Sequence, residues 1–229
     1  MSIVIPNVFF SLLFLGVATF AHGQQNTEEI NQSIVSINGA SKHIDMKLFH
    51  ASEGGKKYSI RILGKWVKGK CELQGAGKFY ALFADLNFDN HQDIWVTGYS
   101  DSQGRSRCSD VWLFDPKTNS YKYNSAISKI HNLEVAPLEK KLEGGISNCG
   151  CAGQCFFHDT YSWQAGSLIK IARREQDCGT DTVVYQELVL IDDKLTVTHH
   201  DEGVPDDKEY SRRQNGGLSF IDWGAYPVK

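Results

Sequence analysis

Short apolar runs separated by turn residues recur along most of the chain, and this rhythm constrains the fold more than any other feature. The runs include KKYSIRILG, KFYALFA, DIWVTGYS, SDVWLFD and TVVYQELVLI, and the segments between them include DPKTNS, QAG and DD. Alternating apolar and polar residues over such short lengths are typical of β-strands. The sequence therefore predicts an all-β fold of antiparallel sheets, either propeller-like or barrel-like.

Three segments outside this rhythm set the expected domain boundaries. The segment SAISKIHNL, residues 125–133, predicts one short helix with Ser125 as its N-cap. Residues 24–40 are mostly polar at their start, and we expect a loose N-terminal segment there. Residues 41–229 then form a single β domain.

Residues 1–23 contain no Lys, Arg, Asp or Glu, and their apolar centre is VFFSLLFLGVATF. This length suits a signal peptide better than a membrane span. The small residues Ala21 and Gly23 lie where a signal peptidase cleaves, so we expect cleavage before Gln24. The alternative is a retained N-terminal anchor. Cleavage predicts a periplasmic or secreted protein with no membrane contact afterwards.

The charges of the chain are nearly balanced, with 24 Lys or Arg against 27 Asp or Glu. No block of like charge stands out along the sequence. Because binding to nucleic acid requires a basic patch, we expect no nucleic-acid partner.

All six cysteines follow the apolar leader: Cys71, Cys108, Cys149, Cys151, Cys155 and Cys178. An even number of cysteines in an exported chain is typical of disulfides. We predict the pairs Cys71–Cys108 and Cys155–Cys178, which leaves the remaining two cysteines over. The alternative is a zinc site in CGCAGQC, although its spacing differs from the usual zinc-finger spacing.

An acid-rich loop lies between two of the predicted strands, in the segment FADLNFDNHQDIWV. Side-chain oxygens recur at Asp85, Asn87, Asp89 and Asp93, and the backbone carbonyl of His91 falls between the last two. Closely spaced oxygens repel one another unless a hard cation lies among them, and Ca²⁺ accepts six to eight oxygen ligands. The loop therefore predicts a Ca²⁺ site, with a solvated acidic turn as the alternative.

The flanks of this loop argue against an EF-hand. Both flanks are predicted strands, whereas an EF-hand loop lies between helices. Counted from Asp85, the twelfth position holds Val96 in place of the bidentate Glu, and the sixth holds Asn90 in place of Gly.

The same loop resembles the D-x-N-x-D-G-x-x-D calcium loop of FG-GAP and VCBS repeats, although it occurs once here. Over a longer stretch, ADLNFDNHQDIWV followed by VWLFDPKTNSYKYNSAISKIHNLEV and TYSWQAGSLIKI is similar to a family of exported bacterial proteins of propeller-like β fold. Some members of that family are periplasmic immunity proteins against peptidoglycan hydrolases, and they resemble inhibitors of invertebrate-type lysozyme. This resemblance implies a periplasmic inhibitor that binds a hydrolase.

The sequence contains no clear signature of catalysis. No G-x-S-x-G motif occurs, and a bound Ca²⁺ would occupy the acids that a glycosidase would need. We therefore expect a binding protein rather than an enzyme. The alternatives are a calcium-stabilised adhesion-type module and an unrecognised secreted hydrolase.

The segment ISNCGCAGQCFFHDTY combines three cysteines, small residues and two adjacent phenylalanines. A stiff loop loses little entropy on binding, so it suits insertion into an enzyme cleft. In the lysozyme inhibitors that this family resembles, a loop with Ser, Gly and Tyr enters the active site, and Ser147 matches its start. The expected partner-binding residues are Ser147, Gln154, Phe156, Phe157 and His158. The alternative is a disulfide-stapled structural loop.

Overall fold

The computed structural model describes residues 27–35, 41–50, 55–73, 78–99, 106–147, 155–178, 182–206, 208, 209 and 213, with backbone alone at 27–35, 41–43, 50 and 147. The first sheet contains β1 (Thr27–Val35), β2 (Ser41–His50), β3 (Lys56–Ile62) and β4 (Lys65–Lys68). The middle sheet contains β5 (Phe79–Ala84), β6 (Asp93–Tyr99), β7 (Arg107–Asp115) and β8 (Ser120–Tyr123). The third sheet contains β9 (Glu134–Ala136), β10 (Lys141–Ser147), β11 (Phe156–Gln164), β12 (Ser167–Cys178), β13 (Val183–Ile191) and β14 (Lys194–Glu202).

Each sheet is an antiparallel meander in which every strand pairs with its neighbours in the chain. This arrangement confirms the all-β prediction. The sheets are open in the described part of the chain, so a closed barrel is excluded there. Tight turns of two residues join several neighbouring strands, as at Leu63–Gly64 and Ala165–Gly166, where both residues have positive φ.

The middle sheet is buried on both faces, which explains why its strands are the most apolar. Phe79, Ala81 and Phe83 on β5 pack into a core shared with the first sheet. The intervening residues Leu82 and Ala84 pack into a second core shared with the third sheet. The two-residue period of a strand thus places one chain segment in two cores.

A buried carboxylate joins the first and middle sheets. Asp110 of β7 accepts hydrogen bonds from the hydroxyls of Tyr58 at 2.6 Å and Tyr123 at 2.9 Å. It also accepts from the backbone amides of Lys70 at 2.7 Å and Cys71 at 2.8 Å. Burial, together with the negative charge of Asp110, raises the pKa of Tyr58 far above its ordinary value, so this hydroxyl remains a donor.

The disulfide between Cys71 and Cys108 lies beside this carboxylate and confirms that predicted pair. It links the segment after β4 to the start of β7, so it crosses between the same two sheets. Disulfides of this kind are typical of exported proteins.

The predicted short helix is present, and two local details differ from the sequence expectation. The segment 24–40, expected to be loose, contains β1, which pairs with β2 along its whole length. Backbone pairing with a neighbouring strand stabilises this polar segment without an apolar pattern of its own. The helix α1 is shorter than expected, spanning Ser125–Ser128, and its N-cap is Asn124, whose side chain accepts from the amides of Ala126 and Ile127.

The leader at residues 1–23 lies outside the described residues, so its cleavage stays a prediction. In the part of the chain that the structure describes, no helix has the length and apolarity to cross a bilayer.

Replacing Cys71 and Cys108 together by Ser should lower the free energy of unfolding by about 4 kcal/mol, because the bond closes a loop with a sequence separation of 37 residues. Urea unfolding followed by tryptophan fluorescence measures this change. A loss below about 1 kcal/mol would mean that the Asp110 hydrogen bonds hold the two sheets together without help from the disulfide.

Candidate functional site

The acidic loop occupies the turn between β5 and β6, at one end of the middle sheet. The backbone reverses there through positive φ angles of 60° at Phe88 and 67° at Asn90. Asn adopts this conformation readily, whereas it is uncommon for a bulky residue. Phe88 packs against the second core, which compensates for its backbone conformation.

Three of the predicted calcium ligands contact one another around this turn. Asp85 accepts hydrogen bonds from the backbone amides of Asp89 at 3.0 Å and Asn90 at 2.8 Å. The side-chain amide of Asn87 donates to Asp89 at 2.8 Å. Asp89 also accepts from the backbone amide of His91 at 2.9 Å. The predicted spacing of oxygens therefore produces a closed set of contacts within the loop.

Asp93 differs from the other three because its side chain is completely buried. It accepts hydrogen bonds from the backbone amides of Leu86 and Phe114, each at 2.8 Å. Burial raises the pKa of Asp93 to about 7; the two amides act in the opposite direction, and the charges of Asp89 and Asp85 add to the rise. Asp93 thus fixes the loop to β7, because one carboxylate oxygen accepts from the loop and the other accepts from β7.

The donor chemistry of the loop fits a hard cation, since its side chains present carboxylate and amide oxygens. Among the described residues, no three His, Cys, Asp or Glu side chains converge in a way that could hold a metal ion. Asp85 and Asp89 instead direct their oxygens to backbone amides of the same loop. Calcium binding therefore stays a prediction.

The expected partner-binding segment forms the hairpin of β10 and β11. The two strands pair up to Ser147 opposite Phe156, so residues 148–155 connect their ends. Gln154, Cys149 and Cys151 lie outside the described residues. This connection therefore begins and ends on two hydrogen-bonded strands of the third sheet.

The two phenylalanines of this segment do not form the exposed pair that the sequence suggested. Phe156 is 3% exposed, and its ring lies 6.4 Å from that of Tyr185. Successive residues of a strand point to opposite faces, so Phe157 lies on the other side of the sheet. There the guanidinium of Arg173 lies 4.8 Å from the ring of Phe157. Phe156 is thus a buried residue on its own face of the sheet, whereas Phe157, on the opposite face, is only partly covered.

His158 lies at the base of the hairpin, between an acid and a base. A guanidinium nitrogen of Arg174 is 3.2 Å from its Nδ1, and a carboxylate oxygen of Glu143 is 3.8 Å from its Nε2. Burial lowers the pKa of His158 to about 4, and the charge of Arg174 acts in the same direction. A neutral His158 can accept a hydrogen bond from Arg174 through Nδ1.

Glu143 is a buried acid that the sequence analysis did not single out. Its residue is 3% exposed, and burial raises its pKa to about 7; Arg174 lowers the pKa, and Glu134 on β9 raises it further. Glu134 pairs with Glu143 across the two strands and forms an ion pair with Arg107 at 2.9 Å. The only signal in the sequence is an isolated acid in the otherwise small and apolar run LEGGI.

A second charged cluster on β11 and β12 was also missed. The buried carboxylate of Asp159 receives Arg173 through two nitrogens, at 2.6 Å and 2.9 Å, and Lys170 at 2.7 Å. Burial raises the pKa of Asp159, but the hydrogen bonds from Arg173 and Lys170 outweigh burial and lower it. These contacts fix the conformation of β11 just beyond the hairpin base.

Cys155 and Cys178 are both disulfide-bonded. Their pairing with each other stays a prediction, and the strand register argues against it. Phe156 lies opposite Gln176, so continuing this register places residue 155 opposite Asp177 and turns Cys178 to the other face. A pairing of each with a cysteine of 148–154 is the geometric alternative.

Replacing Glu143 by Gln should stabilise the protein above pH 7. A raised pKa means that the folded state favours the protonated acid, so this contribution is present below the unfolded pKa of about 4.5 and is lost as the pH rises through about 7. The amide mimics the protonated acid at every pH. At pH 8 the variant should gain on the order of 2 kcal/mol over wild type.

Thermal or urea unfolding between about pH 4 and pH 8 measures the difference between the two proteins. The gain should shrink as the pH falls and vanish below the unfolded pKa of about 4.5, where Glu143 is protonated in both the folded and the unfolded state. A constant difference across this pH range would mean that the acid is not the titrating group. His158 has the opposite dependence: its contribution to stability is lost as the pH falls from about 6.5 toward 4, so a difference that grew toward low pH would point to His158 and not to Glu143.

Comparisons with known proteins bear on the fold alone. The sequence matches no known protein family and no characterised relative. A solved structure, that of a Xanthomonas type IV secretion system related protein, is similar with a TM-score of 0.51 and 15% sequence identity. The similarity covers 77% of this chain and 95% of that chain. This chain therefore shares its fold with a secretion-system related protein.

Proposed function

We propose that this protein is an exported protein-interaction domain that inhibits a peptidoglycan hydrolase in the periplasm, as an immunity protein does. The observation that carries this proposal is the fixed base of the β10–β11 hairpin. The two strands remain paired up to Ser147 and Phe156, and Cys155 at the end of the connection is disulfide-bonded. Such a base lets the connection meet a partner with little loss of conformational entropy.

Contacts from a neighbouring turn hold this base. The backbone amide of Gly145 donates to the carbonyl of His131 at 2.8 Å, and the side-chain amide of Asn132 donates to the carbonyl of Gly145 at 2.8 Å. A Cβ atom at Gly144 would lie 2.4 Å from the carbonyl oxygen of His131, so this close approach requires glycine. The glycines of LEGGI thus serve the packing of the hairpin against the turn.

We assign the partner surface to Ser147, Gln154, Phe157 and His158 at the end of the hairpin. Phe157 lies on one face of β11, and His158 lies on the opposite face together with the buried Phe156. Aromatic residues and arginine are enriched at protein interfaces, and Phe157 lies beside Arg173. The resemblance to exported immunity proteins supports a hydrolase as the partner. The fold shared with a secretion-system related protein is consistent with the same setting.

Inhibition of peptidoglycan hydrolysis tests this function. The purified protein should inhibit a lysozyme-like hydrolase encoded beside its own gene, or one of a panel of lysozymes. Replacing Gln154 and Phe157 together by Ala should weaken inhibition by about 30-fold, equivalent to about 2 kcal/mol. Lys117→Ala, an exposed change in the turn between β7 and β8, is the matched control and should inhibit like wild type.

Two results would contradict the proposal in different ways. Full inhibition by the double variant would show that the hairpin is not the contact surface. Failure of the wild type to inhibit any hydrolase would favour the adhesion-type alternative, with the hairpin as stapled structure.

The acidic loop is a Ca²⁺ site in this proposal, held by Asp85, Asn87, Asp89 and Asp93 with the carbonyl of His91. The support is the concentration of carboxylates in one turn, since a cation would relieve the repulsion between them. The bound ion would stabilise the turn at which β5 passes into β6. Trp163 also contacts this turn, because its ring nitrogen donates to the carbonyl of Leu86 at 2.9 Å.

Calcium should raise the melting temperature of the wild type, and excess chelator should reverse the rise. At free calcium about a hundred times its dissociation constant, the gain in stability is about 2.7 kcal/mol. Asp89→Ala should abolish the calcium-dependent rise, whereas Glu139→Gln, which removes an exposed acid in the turn before β10, should retain it. Identical melting of the wild type with calcium and with chelator would refute the site.

A further inference from the structure

The first sheet concentrates positive charge in a chain that is negative overall. Residues 27–68, which span its four strands, contain seven Lys or Arg and four Asp or Glu, whereas the whole chain has a net charge of −3. The linear sequence conceals this imbalance because apolar core residues alternate with the charges. Strand pairing places Lys47, Lys57, Arg61 and Lys68 on the face of the sheet that points away from the core, where Asp45 also lies, and it pairs Glu29 of β1 with Lys47.

The register of β2, β3 and β4 defines this outer face. Lys47, Ser59 and Lys68 lie side by side across the three strands, and Arg61 lies beside Trp66. Their neighbours in sequence, Met46 and Ile60, are fully buried in the first core. The outer face is therefore basic with one large aromatic ring among the charges.

Trp66 is 40% exposed, and the ammonium group of Lys47 lies 4.5 Å from the centre of its ring. Within the described residues, neither Lys65 nor Lys68 forms an ion pair, and both are exposed. Arg61 contacts Asp45 at 3.3 Å, a surface pair on an exposed face. Lys57 pairs with Glu72 at 3.1 Å, and the register places Lys65 opposite the buried Ile62, at the end of β4 beside the turn. Among the described residues, Lys68 on the outer face and Lys65 beside the turn are therefore the cations here that form no ion pair.

The turn between β3 and β4 adds an apolar tip that is costly in two ways. Leu63 is 61% exposed, and its φ of 46° lies in the left-handed region, where a bulky side chain is strained. Asn, Asp and Gly are the residues favoured at this position of a two-residue hairpin. The corresponding turns elsewhere in the described chain have Ala165–Gly166 and Asp192–Asp193, with small or polar residues.

We propose that the outer face of the first sheet and the Leu63 tip bind the surface of an anionic phospholipid membrane. Lysines and arginines near such a surface are attracted to its headgroups, and a tryptophan lies favourably at the boundary between water and lipid. An exposed leucine at the tip gains by entering the apolar layer below the headgroups. A soluble polyanion would use the cations but leave the leucine in water.

This surface lies on a different sheet from the β10–β11 hairpin, so it goes beyond the inhibitory function proposed above. It also departs from the expectation that the mature protein has no membrane contact. The chain would bind peripherally, on the lipid surface, through charge and a shallow apolar contact.

Co-sedimentation with lipid vesicles tests the proposal on the full mature chain. Wild type should sediment with vesicles of phosphatidylethanolamine and phosphatidylglycerol, but not with vesicles of phosphatidylcholine, and its binding should weaken as salt is added. Lys65→Glu combined with Lys68→Glu should reduce partitioning by about tenfold or more. Lys117→Glu reverses an exposed charge away from this face, and it should reduce vesicle binding less than Lys65→Glu alone or Lys68→Glu alone.

Leu63→Asn separates membrane contact from folding. Asparagine suits the left-handed backbone, so the variant should melt at a higher temperature than wild type while its vesicle binding falls several-fold. Leu138→Ser is the matched control, because Leu138 is 94% exposed in another turn and should not contribute to binding. Leu63→Asn should also leave hydrolase inhibition unchanged, so the two proposals fail independently.

Binding of wild type to heparin but not to anionic vesicles would identify a soluble polyanion as the partner and overturn the membrane proposal. Vesicle binding that Leu63→Asn leaves intact would overturn the role of the tip. Absence of binding to both would leave the basic face without an anionic partner and also overturn the proposal.

Discussion

The buried carboxylate of Asp110 is the interaction on which the arrangement of the first two sheets depends. It receives two tyrosine hydroxyls and two backbone amides, drawn from β3, from β8 and from the segment after β4. A buried charge is tolerable only when such donors surround it, so each donor must be in place. The site therefore fixes the relative position of three chain segments in a way that apolar packing alone would not.

The acidic loop is also held by a buried carboxylate, at the opposite end of β7. Asp93 begins β6, and its carboxylate reaches the backbone of β7 at Phe114, while Asp110 lies four residues earlier on β7. The loop between β5 and β6 is thus attached to the middle sheet before any cation is considered. A bound calcium ion would add to the attachment that the Asp93 hydrogen bonds already provide.

The sequence predicted the strands of the middle sheet because their local pattern and their burial coincide. KFYALFA and DIWVTGYS correspond to β5 and β6 within a residue or two. β1 was missed because its sequence TEEINQSIV is polar at the start and gains its order by pairing with β2. Its local signal is weak, since only Ile30, Ile34 and Val35 are apolar in this strand.

The site was predicted less completely, for a related reason. The oxygen rhythm of Asp85, Asn87 and Asp89 is local, and these residues do meet. The burial of Phe156 depends on Tyr185, which is far along the chain, and so do the environments of Glu143 and His158, whose neighbours come from separate strands. The basic face of the first sheet likewise arises only when three strands align their alternate residues.

The meander order of the three sheets has a consequence for how the chain folds. Each strand finds its partner next to it in sequence, so hairpins can close over short loops at small entropic cost. The contacts that span long distances in sequence are those between sheets, such as Tyr58 with Asp110 and Trp163 with Leu86. We therefore expect the stacking of the sheets to be the slow step of folding, with the polar groups at the sheet contacts favouring the correct stacking over a slipped one.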